Sequence, residues 1–223
     1  MSFNKRVLTK QGDLFPYGKI LLITPILKEF HAAREIFRAS ELHQSGSSRL
    51  SEKKSDGRIV RILQEGMGRT NLDSCKAQIK DFMPDLIIDS GSSGSLREDL
   101  APGVILLCEK VVNESGSVLC SPLKIMDEHL PDNSIKAGIL EVQQPVLSSE
   151  RRNSLRAKSG VDACSMETYI IAEEASRHSI PWISFRIVTD FSNEQTASDF
   201  KKNIRQFSLL LYREIYKILV LKK

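Results

Sequence analysis

The chain has 223 residues, enough for one large α/β domain with a well-buried core, whereas two domains would each be small. Hydrophobic residues make up 41% and charged residues 27%, and 32 basic against 28 acidic side chains leave a formal charge of +4. The basic residues are scattered rather than gathered in a stripe, which argues against nucleic-acid binding, and no apolar run reaches the roughly 20 residues that span a bilayer.

Residues 1–17 are polar, carry Lys5, Arg6 and Lys10, and lack the apolar core of a secretion signal; they read as an N-terminal extension to a single domain over 18–223. Lys19–Thr24 is a short apolar run expected as a buried strand, and Glu29–Ala39 follows with Phe30, Ala33 and Phe37 on one helical face. The Ser-, Lys- and Gly-rich residues 43–57 read as a loop or hairpin edge, and Arg58–Gln64 as a strand. Thr70 is a candidate cap for a helix to about Phe82. Leu86–Asp89 is a buried strand expected to run into a Gly/Ser turn. Val104–Val112 is a strand on which Gly116–Leu119 can pair back, residues 121–135 are irregular, and Ala137–Val142 is a strand. Helices are expected over Ser148–Lys158, capped by Ser148 or Ser149, and over Met166–Ser179. The apolar strand Trp182–Thr189 ends in Asp190, and a last helix starts at Thr196 or Ser198, with Lys201, Lys202 and Arg205 on a solvated face. Alternating strands and helices imply a mixed or parallel sheet covered on both faces.

Cys75, Cys108, Cys120 and Cys164 form no C-x-x-C pair and have no histidine at ligand spacing. Reduced thiols in a cytoplasm, with no metal and no cofactor, are the simplest reading. His31, His43, His129 and His178 have no local partner pattern and read as surface or satisfied residues.

Ligands of such sheets bind beyond the carboxyl ends of strands. That rule selects Thr24–Glu29, Gly66–Gly68, Asp89–Ser95 and Asp190–Asn193. Asp89-Ser-Gly-Ser-Ser-Gly-Ser95 is either a plain turn or a cradle whose N–H groups and hydroxyls hold phosphate, ribose or carboxylate. It lacks the Gly-Lys-Ser/Thr ending of a nucleotide P-loop. Asp190 is either an N-cap or a desolvated acid. Glu29 and Glu167 are either first-turn residues favoured by a helix dipole or functional carboxylates. Arg186, inside an apolar strand, needs a buried partner.

Five segments resemble, in order, those of the nucleoside phosphorylase/nucleosidase family: Glu65-Gly-Met-Gly-Arg-Thr-Asn71, Pro84 to Leu96, Leu100 to Leu107, Ser165-Met-Glu-Thr168 and Arg186-Ile-Val-Thr-Asp190. The similarity covers roughly residues 18–215. It implies a three-layer α/β/α sandwich around a mixed, mostly parallel central sheet, assembled as dimers or higher homo-oligomers, acting on a purine nucleoside. Carried over, it makes Asp190 the acid at purine N7 and Glu29 the carboxylate that activates water. Met166 and Glu167 would line the ribose, and Ser92, Arg186 and Gly91 would sit near the sugar and the nucleophile. Ser165 stands where methylthioadenosine nucleosidases often carry a glutamate. Val146 lies in a purine-side segment, Glu141–Val146, that lacks their stacking aromatic.

The phosphate-binding Gly-Asp-Pro of the family's phosphorylases is absent from Thr24-Pro-Ile-Leu-Lys-Glu29, and carboxylates at Asp89 and Glu29 would repel phosphate. Both points favour hydrolysis, with adenine released from a methylthioadenosine- or S-adenosylhomocysteine-like substrate. Lys28, about where a phosphorylase arginine falls, points the other way. The segments Val111–Leu119 and Gln144–Val146 are similar to bacterial enzymes thought to cleave adenosylhopane, whose greasy polycycle asks for a wide apolar groove. A non-catalytic nucleoside-binding relative is the remaining alternative.

Overall fold

The computed structural model describes residues 16–45, 48–68, 72–125, 127 and 130–220. Most of the N-terminal extension, the proposed cap Thr70 and His129 lie outside the described residues. In chain order the elements are β1 (Lys19–Thr24), α1 (Leu27–Phe37), β2 (Ser40–Ser45), β3 (Ser48–Ser55), β4 (Arg58–Gln64), α2 (Asp73–Phe82), β5 (Leu86–Ser95), β6 (Ile105–Asn113), β7 (Val118–Cys120), β8 (Ser134–Glu141), α3 (Ser149–Ser159), β9 (Ala163–Ser165), α4 (Thr168–Arg177), β10 (Trp182–Asp190) and α5 (Thr196–Val220).

The sheet is mixed, as expected. Its centre, β4-β1-β5-β10, is parallel, and β8 pairs in parallel with β6 and with β9. The β2-β3-β4 edge and the β10–β6, β6–β7 and β5–β9 contacts are antiparallel. Residues 43–57 are therefore the hairpin-edge alternative, carried by β2 and β3. Helices cover both faces. Phe30, Ala33 and Phe37 of α1 pack with Leu211, Tyr212 and Ile215 of α5 against Ile20, Leu22, Leu86 and Ile88. On the other face, Cys75, Ile79 and Phe82 of α2 and Ile171, Ala172 and Ala175 of α4 pack against Leu21, Ile23, Ile87 and Leu106. Neighbouring residues of β1 and β5 thus feed opposite cores, which is the two-residue period of a strand buried on both sides.

Two features differ from the sequence expectation. The Gly/Ser stretch after Asp89 does not turn. It stays extended because β10 continues alongside it, from Phe185 opposite Ser90 to Asp190 opposite Gly94, and because β9 takes up its last two residues. Neither pairing is local in sequence. The second feature is that β5, β10, β6, β8 and β9 close into a ring at this end of the sheet, since β10 and β9 both pair with β5. The three-residue β9 that closes it is too short to leave a periodic signal.

Asp162, just before β9, fastens the ring. Its backbone N–H donates to Gly138 O and its carbonyl accepts from Leu96 N. Its side chain accepts from Gly138 N at 2.9 Å and pairs with Arg97 and Arg156, each at 3.3 Å. Asp162→Ala leaves a strand N–H unsatisfied and removes both ion pairs. It is expected to lower unfolding stability by about 1–3 kcal/mol, measured by urea denaturation.

Candidate active site

β1 stops at Thr24, pairing with β5 as far as Asp89, and β9 joins β5 only at Gly94. Between them, residues 90–93 of β5 face the start of α1. There Ser92 N–H donates to Glu29 Oε1 at 2.7 Å, and Ile26 N–H donates to Glu29 Oε2 at 3.2 Å. Glu29 therefore does two things at once: one oxygen serves the first turn of α1, and the other grips β5. It is fully buried, and burial, set against these hydrogen bonds and the charge of Arg186, raises its pKa above the ordinary glutamate value.

The gap opens into a cavity of about 410 Å³. Ser92, Ser165, Met166, Glu167, Val146 and Asp190 line it, which brings together six of the nine residues singled out from the sequence. The other three, Glu29, Arg186 and Gly91, are packed behind the wall at Ser92. Gly91 is what allows this: with φ of 154°, its position is so crowded that a Cβ would lie 2.9 Å from Arg186 Nη1, 3.0 Å from Pro25 Cδ and 3.1 Å from Glu29 Oε1.

Arg186 finds the partner it requires in Asp89. Its Nη2 lies 2.5 Å and 2.7 Å from the two carboxylate oxygens, and Ser184 Oγ donates to Asp89 Oδ2 at 2.7 Å. Its Nη1 donates to Ser92 O at 3.4 Å and lies 3.7 Å from Glu167 Oε2. Asp89 is thus a charge-paired residue rather than a free carboxylate, which removes it from the argument about phosphate repulsion. Lys28 is exposed and outside the cavity lining, and among the described lining residues there is no lysine or arginine.

Glu167 precedes α4 but does not cap it. Ser165 Oγ approaches Thr168 Oγ1 at 2.5 Å and accepts from Thr168 N at 3.4 Å, leaving the Glu167 carboxylate to the cavity and to Arg186. Burial, opposed by Arg186, pushes its pKa up to about 7. Glu167 thus stands at the N-terminus of α4, where the helix dipole favours a carboxylate, and also lines the cavity.

Asp190 also lines the cavity. A β-bulge between Val188 and Asp190 breaks the alternation of β10, so consecutive residues Thr189 and Asp190 both reach the cavity. Asp190 Oδ1 accepts Ser192 N–H at 3.0 Å and the Thr196 hydroxyl at 3.1 Å, while Thr189 Oγ1 lies 2.8 Å from Oδ2. Thr196 Oγ1 itself accepts from Asn193 N, so its proton is directed at Asp190. Burial raises the pKa of Asp190 despite those hydrogen bonds. It both caps its turn and faces the cavity, so the two sequence readings are compatible.

Met67 and Pro145 fall inside segments that the sequence had marked, whereas sequence reasoning missed the lining residues Leu147 and Phe200. Phe200 supplies an aromatic wall from α5, although residues 141–146 carry none; its place in the first turns of a helix ending beside Asp190 was the available signal. His178 has a partner as well, Glu174 one helical turn away at 3.2 Å. Gly91→Ala is expected to force Arg186 and Glu29 from their places and to lower stability by about 1–3 kcal/mol, read by chemical denaturation.

Comparison with known proteins agrees with this fold. A sequence model of the phosphorylase superfamily matches residues 19–219. A 5′-methylthioadenosine/S-adenosylhomocysteine nucleosidase from an Exiguobacterium species is 23% identical over 175 residues, covering 67% of this chain and 75% of that protein. Two solved structures from Helicobacter pylori share the fold at 16% identity, each covering 90% of this chain and 97% of the other. They are a nucleosidase mutant with 5′-methylthioadenosine in its active site, TM-score 0.80, and a futalosine hydrolase mutant, TM-score 0.79. With nine-tenths of its length inside the family match, the chain belongs to the phosphorylase superfamily.

Proposed function

We propose that this chain hydrolyses the N-glycosidic bond of an adenosine derivative and releases adenine. The observation that carries the reading is the chemistry gathered at one cavity: the desolvated carboxyl of Asp190 and the carboxylate of Glu167 line it, and Glu29 is buried behind Ser92. Cleavage of such a bond passes through an oxocarbenium-like sugar. Positive charge grows at C1′ and the bonding electrons leave with the purine. Asp190 gives its proton to N7 of the departing base, Glu167 accepts hydrogen bonds from the ribose hydroxyls, and both carboxylates stabilise the cation. A water oxygen bonds to C1′ as its proton passes to Glu29, whose carboxylate is held behind Ser92 by the N–H groups of Ser92 and Ile26. Products are free adenine and the ribose derivative. The names of the relatives, nucleosidases of methylthioadenosine and S-adenosylhomocysteine, support the same reaction class.

Water is favoured over phosphate because the described cavity lining offers carboxylates and no cation. The substituent on the 5′ carbon follows from the remaining wall. Met67, Pro145, Val146, Leu147 and Phe200 are apolar, and Met67 and Leu147 are each 55% exposed. These residues fit an apolar 5′ group, whether a short alkylthio chain or a bulkier hydrocarbon of the adenosylhopane kind.

The test is adenine release from a panel of adenosine derivatives with apolar 5′ substituents, with and without phosphate. Release is expected to be independent of phosphate. Asp190→Asn and Glu29→Gln are each expected to lower kcat by about 10²–10⁴-fold while the protein remains folded. Strict phosphate dependence would refute hydrolysis, and unimpaired Asp190→Asn turnover would remove the acid.

A further inference from the structure

At the wall beside Ser92, three buried carboxylates stand near one guanidinium. Glu29 comes from α1, Asp89 from β5 and Glu167 from the turn before α4, and Arg186 stands on β10. Fully ionised, the group would hold three negative charges against one positive charge. How the single cation is shared decides which carboxylate keeps its proton. Geometry settles the sharing. Asp89 is the direct cross-strand neighbour of Ser184, two residues before Arg186 on the same strand, and it takes Arg186 Nη2 on both oxygens while Ser184 secures it from the side. Glu167 receives a longer contact of 3.7 Å. Glu29 approaches Gly91 beside Arg186 Nη1 without pairing with it; among the described residues the ion-pair partners of Arg186 are Asp89 and Glu167.

We propose that Asp89 is a positioning residue for the reaction: by pairing with Arg186 Nη2 on both oxygens it offsets the positive charge that stands beside Glu29, which is left better able to take a proton from water. The inference rests on the hydrolase reading above. Three further observations support it. The buried Nε of Arg186 has no hydrogen-bond partner, so the guanidinium is under-satisfied and would turn toward another carboxylate if Asp89 released it. Arg186 Nη1 and Glu29 Oε1 flank the same point beside Gly91, so little movement separates them. The groups facing Glu29 from the elements packed around it are Arg186, Asp89, Glu167 and Tyr212 of α5. Arg186 is the one cation in that set.

Asp89→Asn keeps the shape and most of the hydrogen bonding but removes the charge. Arg186, no longer neutralised, then favours the ionised form of Glu29, so its pKa falls and it becomes a weaker base. The acidic limb of the pH profile of kcat/KM is expected to move to lower pH by about 1 unit or more, with a lower plateau kcat. Asp89→Glu, which restores the charge, is expected to return the limb toward its original position. A limb that stays in place in an active Asp89→Asn enzyme overturns the proposal and leaves Asp89 a structural residue. Should Asp89→Asn fail to fold, ¹³C NMR titration of carboxyl-labelled glutamates compares the unmodified protein with Ser184→Ala, which removes a hydrogen bond that secures Asp89 against Arg186. A lower Glu29 midpoint in Ser184→Ala supports the proposal, and an unchanged midpoint overturns it. If the unmodified protein releases adenine from no substrate, the hydrolase reading fails; the same titration, compared between the unmodified protein and Asp89→Asn, still decides whether Asp89 controls Glu29.

Discussion

The buried contact between Arg186 and Asp89 is the interaction on which the site depends. A guanidinium with no exposed surface is tolerated only when paired, and removing one partner of such a pair costs about 3–5 kcal/mol. The pair spans the two central strands β5 and β10 where both leave the ordinary sheet and enter the closed ring. It also stands directly behind the cavity wall. Sheet alignment, ring closure and the charge state of the neighbouring carboxylates therefore meet in one place.

The small residues of β5 make that arrangement physically accessible. Gly91 lets Arg186 and Glu29 approach the strand closely, and Gly94 does the same for Asp190 Oδ1, which would lie 3.0 Å from a Cβ there. Ser92 contributes its N–H to Glu29, and Ser90 gives its hydroxyl to Ile23 O, tying β5 to the end of β1. Larger side chains along this stretch would separate the carboxylates from the strand that orients them.

Much of the fold was legible from the sequence because most elements announce themselves by period. Lys19–Thr24, Arg58–Gln64 and Trp182–Asp190 are apolar runs of strand length, and α1, α3 and α5 fall close to their expected positions. The Gly/Ser stretch was not legible: its composition is that of a turn, and only the distant strands β9 and β10 hold it straight. The onset of β8 at Ser134 was hidden in residues that read as irregular. In the site, Asp190, Glu167, Met166 and Ser92 could be singled out from short motifs at strand ends. The role of Asp89 could not, because its partner lies 97 residues away and their meeting depends on the register of β5 with β10. Phe200 was hidden for a similar reason, since its place on the cavity follows from the angle of α5.

The account makes the cavity a device with a proton donor on the base side and carboxylates on the sugar side, so its most direct test removes the proton's destination rather than its source. A substrate whose purine N7 is replaced by carbon, such as 5′-methylthio-7-deazaadenosine, should occupy the cavity and compete with the normal nucleoside, yet remain uncleaved. Cleavage of that analogue at a rate comparable to the parent nucleoside would contradict the central claim.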